Sequence, residues 1–121
     1  MVKLVYCLRR KPGMSWEEFS QYWRETHAPL VAERAEVLGI KRYVQVRTVD
    51  NPAIHAAMQA RNDGSPEPFD GVAELWFDDS ALTGPQSPEA AKAGQELLDD
   101  ERNFIDLARS PIWFANEWQV V

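Results

Sequence analysis

Cysteine and histidine are scarce in this chain. Its 121 residues hold one cysteine, Cys7, and two histidines, His27 and His55. A lone thiol forms no disulfide within the chain, and two histidines far apart make no short-spaced metal motif. Basic charge is also sparse: 13 Lys and Arg stand against 19 Asp and Glu, a formal net charge of −6. The only basic run is Arg9–Lys11, so nucleic acid and anionic membrane surfaces are poor partners. Long apolar runs are missing too. "LVYCL" near the start is too short for a signal-peptide core or a membrane span, and a cytoplasmic location is expected. No glycine-rich phosphate loop or dinucleotide fingerprint occurs, and no residue stands out as an axial haem ligand. The expectation is a protein with no cofactor and no metal. Cys7, inside an apolar stretch, reads as a small buried hydrophobe.

The remaining composition, 45% hydrophobic and 26% charged, suits one globular domain over residues 1–121. Alternation predicts a strand over 2–9. Ser15, with Glu18 three residues on, forms a capping box and starts a helix to about Leu38, with Gly39 as its stop. Ile40–Val49 is a second strand. "NPAIHAAMQA" suits a short helix capped by Asn51 with Pro52 at its first position, followed by loop. Gly71–Phe77 is a third strand, Ser87 and Pro88 open a second long helix to about Asp99, and "SPIWFANEWQVV" reads as a fourth strand. With 50–69 as an insert, this βαββαβ order is that of a ferredoxin-like α+β protomer, an antiparallel sheet with helices on one face.

Strand alternation places Val2, Leu4, Tyr6 and Leu8 on one side, opposite Val5 and Cys7. In the third strand Val72 and Trp76 oppose Ala73, Leu75 and Phe77. In the fourth, Ile112, Phe114, Trp118 and Val120 oppose Trp113, Ala115 and Val121. Both faces are substantially apolar, yet the helices cover only one. A homodimer with sheets packed face to face is therefore expected.

"FSQYWRETHAPL", Phe19–Leu30, carries the densest chemistry. On an ideal helix at about 100° per residue, Phe19, Trp16, Trp23, Thr26 and Leu30 form one stripe, with His27 at its edge, about 80° from Phe19. Pro29 lacks an N–H and pushes Ala28 from helical angles, which predicts a kink or break at His27–Pro29. His27 is then either a structural group bonded across the kink or a functional group in the helix–sheet crevice. His55, on the insert, is a weaker candidate, with the insert as a possible lid. Asp78–Asp79 and Asp99–Glu101 adjoin turns or helix ends and read as solvated surface.

The segments "KLVYCLRRKPGMSWEEFSQYWRETHAPL", "FDGVAELWFDD" and "ERNFIDLARSP" resemble the EthD family of the dimeric α+β barrel superfamily. The resemblance implies a ferredoxin-like protomer, a dimer forming a barrel, and a crevice between helices and sheet in each subunit. The family takes its name from a gene cluster for degrading a fuel ether, which implies a catabolic setting. Related members resemble cofactor-independent dehydratases, decarboxylases or isomerases, and the histidine matching His27 is an acid/base candidate in them.

The resulting expectation is a crevice lined by Tyr6, Trp23, Tyr43 and Trp76 that holds a small apolar or aromatic molecule, with His27 moving a proton. A tyrosine hydroxyl would steady an enolate or phenolate. The alternatives are a non-catalytic binding or accessory protein that uses the same pocket, and a cofactor-free oxygenase.

Overall fold

In the computed structural model, which describes residues 1–121, the helices start where the caps place them and the four strands fall within the stretches that alternation marks, the second shorter than Ile40–Val49. The elements are β1 (Val2–Leu8), α1 (Trp16–Tyr22), a π-helical turn (Trp23–His27), α2 (Ala28–Leu38), β2 (Arg42–Arg47), α3 (Pro52–Arg61), β3 (Gly71–Phe77), α4 (Pro88–Glu101) and β4 (Ile112–Ala115). Short 3-10 turns cover Asp79–Leu82 and Leu107–Arg109. The capping box is present: Glu18 N–H donates to Ser15 Oγ at 3.1 Å, and Ser15 N–H donates to Glu18 Oε1 at 3.2 Å. Gly39 closes α2 at φ 74°, a left-handed conformation that glycine adopts without a Cβ clash.

The strands form one antiparallel sheet in the order β2-β3-β1-β4. Register fixes the faces, because directly opposed residues point the same way. Tyr6 opposes Ala73 and Ile112, Leu4 opposes Leu75 and Phe114, and Tyr43 opposes Leu75. These residues share the face under α1, α2 and α4. Phe19, Trp23 and Phe104 are buried between that face and the helices. Gly71 is needed at this seam: a Cβ there would lie 2.5 Å from Trp23 Cζ3.

The open face is less apolar than its alternation predicts. Lys3 and Glu74 form an ion pair across β1 and β3, and the Lys3 ammonium and Arg42 guanidinium lie over the Trp76 ring, 5.0 and 4.5 Å from its centroid. Val5, Val44, Val46, Val72 and Trp113 interleave with these charges.

Two expectations need correction. The fourth strand ends at Ala115, and Trp118, Val120 and Val121 are exposed outside it. Lys3 pairs with Ala115 and β1 begins at Val2, so the chain beyond has almost no neighbour left to pair with. The kink at His27–Pro29 is absent as a break: Tyr22, His27 and Ala28 all keep right-handed helical angles. The helix instead widens by a π turn, in which Ala28 N–H donates to Trp23 O, and Pro29 takes a first-turn position of α2. No helix is long and apolar enough to cross a membrane.

Candidate active site

The π turn decides where His27 points. A turn closed i→i+5 advances less per residue than an α-helix, so His27 swings from the edge of the stripe back toward its centre. Only 5% of the residue is exposed. Its ring rests on Phe104, 5.0 Å between centroids, and Phe104 itself is fully buried against Phe19 and Tyr22. Gln45 on β2 ties the turn to the sheet, donating from Nε2 to Trp23 O and to the Tyr43 hydroxyl, both at 2.9 Å.

His27 Nδ1 lies 2.7 Å from Asp100 Oδ2. The other Asp100 oxygen accepts from the Tyr22 hydroxyl at 2.6 Å and from Asn103 Nδ2 at 3.3 Å. Burial alone would raise the Asp100 carboxyl. The hydrogen bonds from Tyr22 and His27, the imidazole charge and the Asn103 bond together bring it below its ordinary value. An ionised carboxylate only accepts, so the Asp100 bond assigns the proton to His27 Nδ1 and leaves a lone pair on Nε2. Nε2 has no hydrogen-bond partner in the chain. Burial lowers the His27 pKa below its ordinary value, with the Asp100 hydrogen bond and charge acting against it, a direction that favours the neutral ring.

The adjacent residue behaves in the opposite way. Glu101 Oε1 accepts a hydrogen bond from the Tyr6 hydroxyl at 2.9 Å, and burial pushes its carboxyl up to about 6. The Asp100 charge adds to that rise, while the Tyr6 bond and Arg102 offset part of it. Burial and the Glu101 charge drive the Tyr6 hydroxyl far upward, so it stays protonated as a donor. Burial likewise raises Tyr43, which accepts from Gln45 and keeps its own O–H proton uncommitted.

These groups meet at a cavity of about 210 Å3 between the helices and the sheet. Its wall is mostly aliphatic and aromatic, and it includes His27, Tyr6, Trp23, Tyr43 and Glu101. Four of the five sequence-proposed site residues are therefore brought together. Trp76 is not: it belongs to the open face and donates its indole N–H to Glu117. The register explains the correction, since Trp76 opposes Lys3 and Arg42, whose side chains point away from the helices.

The reading of Asp99–Glu101 as solvated surface fails for two of its three residues. Asp100 and Glu101 continue the buried face of α4 that Ala90, Ala93 and Leu97 begin. That i, i+3, i+4 periodicity was available in the sequence. The insert takes no part in this cavity. His55 instead bonds to Val49 O at a separate polar crevice with Arg10 and Asp70. Cys7 is buried on the open face, and burial raises its thiol. No three His, Cys, Asp or Glu side chains converge as metal ligands.

The fold and site define a ferredoxin-like α+β protein with a histidine-bearing pocket under its helices. A sequence model of the EthD domain matches residues 11–108, and the chain belongs to the EthD family. Solved structures agree in fold. An ethyl tert-butyl ether D (EthD) family protein from Bacillus halodurans C-125 is 22% identical with TM-score 0.60, over 98% of this chain and 99% of that one. A dimeric protein of unknown function and ferredoxin-like fold from Bacteroides fragilis NCTC 9343 is 14% identical with TM-score 0.55, over 96% and 95%. SnoaB, a cofactor-independent oxygenase from Streptomyces nogalater, is 17% identical with TM-score 0.53, over 99% and 95%.

Proposed function

We propose that this chain is a cofactor-independent acid/base enzyme acting on a small apolar or aromatic carbonyl compound by isomerisation, dehydration or decarboxylation. The observation that carries the reading is the unpartnered Nε2 of His27, held in its tautomer by Asp100 beside a cavity that also contains Glu101. In the isomerisation case Nε2 takes a proton from the carbon next to the carbonyl. The C–H electron pair delocalises onto the carbonyl oxygen, where the Tyr43 O–H donates to the developing enolate. Asp100 stabilises the imidazolium that forms. Protonated Glu101, with Tyr6 bonded to it, gives its proton to the distant carbon or to a departing hydroxyl, which leaves as water; the imidazolium then releases its proton to solvent and Glu101 takes one up, which restores both groups.

The test uses cyclohex-3-en-1-one, whose conversion to the conjugated enone is followed by ultraviolet absorbance. Wild-type protein accelerates it, and His27→Ala removes about a hundredfold or more of the acceleration while the melting temperature stays within a few degrees. Equal rates in both proteins would refute the assignment.

The fold shared with SnoaB favours a second reading, a cofactor-free oxygenase in which His27 deprotonates a substrate that then reacts with oxygen. Oxygen uptake that depends on His27 separates it from the first. Ligand retention with no turnover would make the protein a carrier or an accessory protein.

The subunit is proposed to work as a homodimer through the open sheet face. Val46 and Trp113 are exposed there at 41% and 46%, and the Bacteroides fragilis neighbour is described as dimeric.

A further inference from the structure

The cavity wall contains no lysine or arginine. Its polar end holds the Glu101 carboxylate, with the Asp100 carboxylate behind His27. An anionic ligand would lose its hydration beside these carboxylates and gain no counter-charge, which disfavours it strongly and, of the three reactions proposed above, sets decarboxylation of a carboxylate aside in favour of isomerisation and dehydration. At pH 8, where Glu101 with its value of about 6 is ionised, the unused hydrogen-bonding positions are two acceptors, His27 Nε2 and the Glu101 oxygen not bonded to Tyr6, and one donor, the Tyr43 hydroxyl. That set suits a neutral molecule with one oxygen function, a hydroxyl given to the acceptors or a carbonyl received by Tyr43.

Size narrows the class. A dry apolar void of about 150 Å3 takes a benzene molecule. The space here, about 210 Å3 and open on one side, encloses one ring with a short substituent.

One wall position controls that space. Gly94 sits in the interior of α4, where glycine weakens a helix relative to alanine. It lies three residues before Leu97 and seven before Glu101, on the same helix face, and all three line the cavity. A Cβ built on Gly94 meets nothing within 4 Å. Neither a neighbouring side chain nor a left-handed φ calls for glycine here, so what it provides is room.

We propose that the cavity takes a neutral compound with one six-membered ring and one hydroxyl or carbonyl oxygen, and that Gly94 sets the longest substituent such a compound can carry. This deepens the functional reading above and rests on its choice of cavity.

The test measures affinities by calorimetry at pH 8, with no turnover involved. Wild-type protein binds benzyl alcohol at least tenfold more tightly than benzoate, its anionic counterpart of similar shape. Gly94→Ala weakens 4-ethylphenol at least fivefold and phenol less than twofold. Gly94→Leu loses both, with a ligand-free melting temperature no lower than wild type. Benzoate binding as tight as benzyl alcohol would overturn the charge assignment, and an unchanged 4-ethylphenol affinity in Gly94→Ala would overturn the size assignment. Intact affinities with no proton transfer sink the catalytic reading alone, whereas failed affinities with His27-dependent turnover sink only this one.

Discussion

The two faces of the sheet carry comparable numbers of large side chains and treat them differently. On the helix-covered face the tyrosines and Trp23 surround an unfilled space with a histidine and a carboxylate at one end. On the open face Trp76 is held between Lys3, Arg42 and Glu117, and no comparable void with perturbed acids and bases forms. The difference lies in what each face meets. Helices bring their own side chains and leave gaps where a glycine or a widened turn falls. The open face presents charge and branched aliphatics to whatever lies beyond it. An aromatic residue in a strand is thus ambiguous until the register says which face it occupies.

The strongest way to break this comparison is at the group that orients the base. Asp100→Asn keeps the hydrogen-bond geometry, but its amide can donate to Nδ1 and select the other tautomer. Turnover is expected to fall about a hundredfold with the helices intact by circular dichroism, and an unchanged rate would reduce Asp100 to a structural partner. The open face is tested by Trp113→Glu, which places a charge on the proposed interface. Dimer dissociation, read by analytical ultracentrifugation, should become at least tenfold easier, while turnover per folded subunit changes less.

Acidity sharpens the contrast within the covered face. With Glu101 as the acid at about 6, the rate should fall toward tenfold per pH unit above that value, and Glu101→Gln should remove this alkaline limb. Stability follows the same group. Its folded pKa lies above the unfolded value of about 4.5, so the native state holds the proton more tightly and stability falls as pH rises from 4.5 through about 6. Glu101→Gln should therefore gain about 1–2 kcal/mol at pH 7 relative to pH 4.5, measured by urea unfolding. The smallest effect belongs to Trp76→Phe, which should leave turnover within about twofold, as expected for a residue facing away from the cavity.

Local signals in the sequence read the fold well. The Ser15–Glu18 box, Gly39, Asn51–Pro52 and Ser87–Pro88 each mark a helix boundary through a side chain acting on nearby backbone. The site was legible only in part. His27 stands out because Pro29 follows it, yet the π turn that aims it meets Gln45, which bonds to Trp23 O across 22 positions of sequence. Single-strand alternation lacks the cross-strand register that puts Trp76 on the open face. From sequence alone Asp100 and Glu101 read as acidic residues at a helix end. Their partners, Tyr6, Tyr22 and His27, lie more than seventy positions away. The strand expected beyond Ala115 failed for the same reason, since its existence depends on where β1 starts.

The central claim is that His27 presents a neutral Nε2 to the cavity because Asp100 holds the proton on Nδ1. Long-range proton–nitrogen correlation NMR of 15N-histidine-labelled protein measures this directly. At pH 7 the account predicts the Nδ1–H tautomer, a titration midpoint below the usual histidine value of about 6.5, and a shift of the Nε2 resonance when phenol is added. An Nε2–H tautomer, a midpoint above 7, or an Nε2 signal indifferent to the ligand would contradict it.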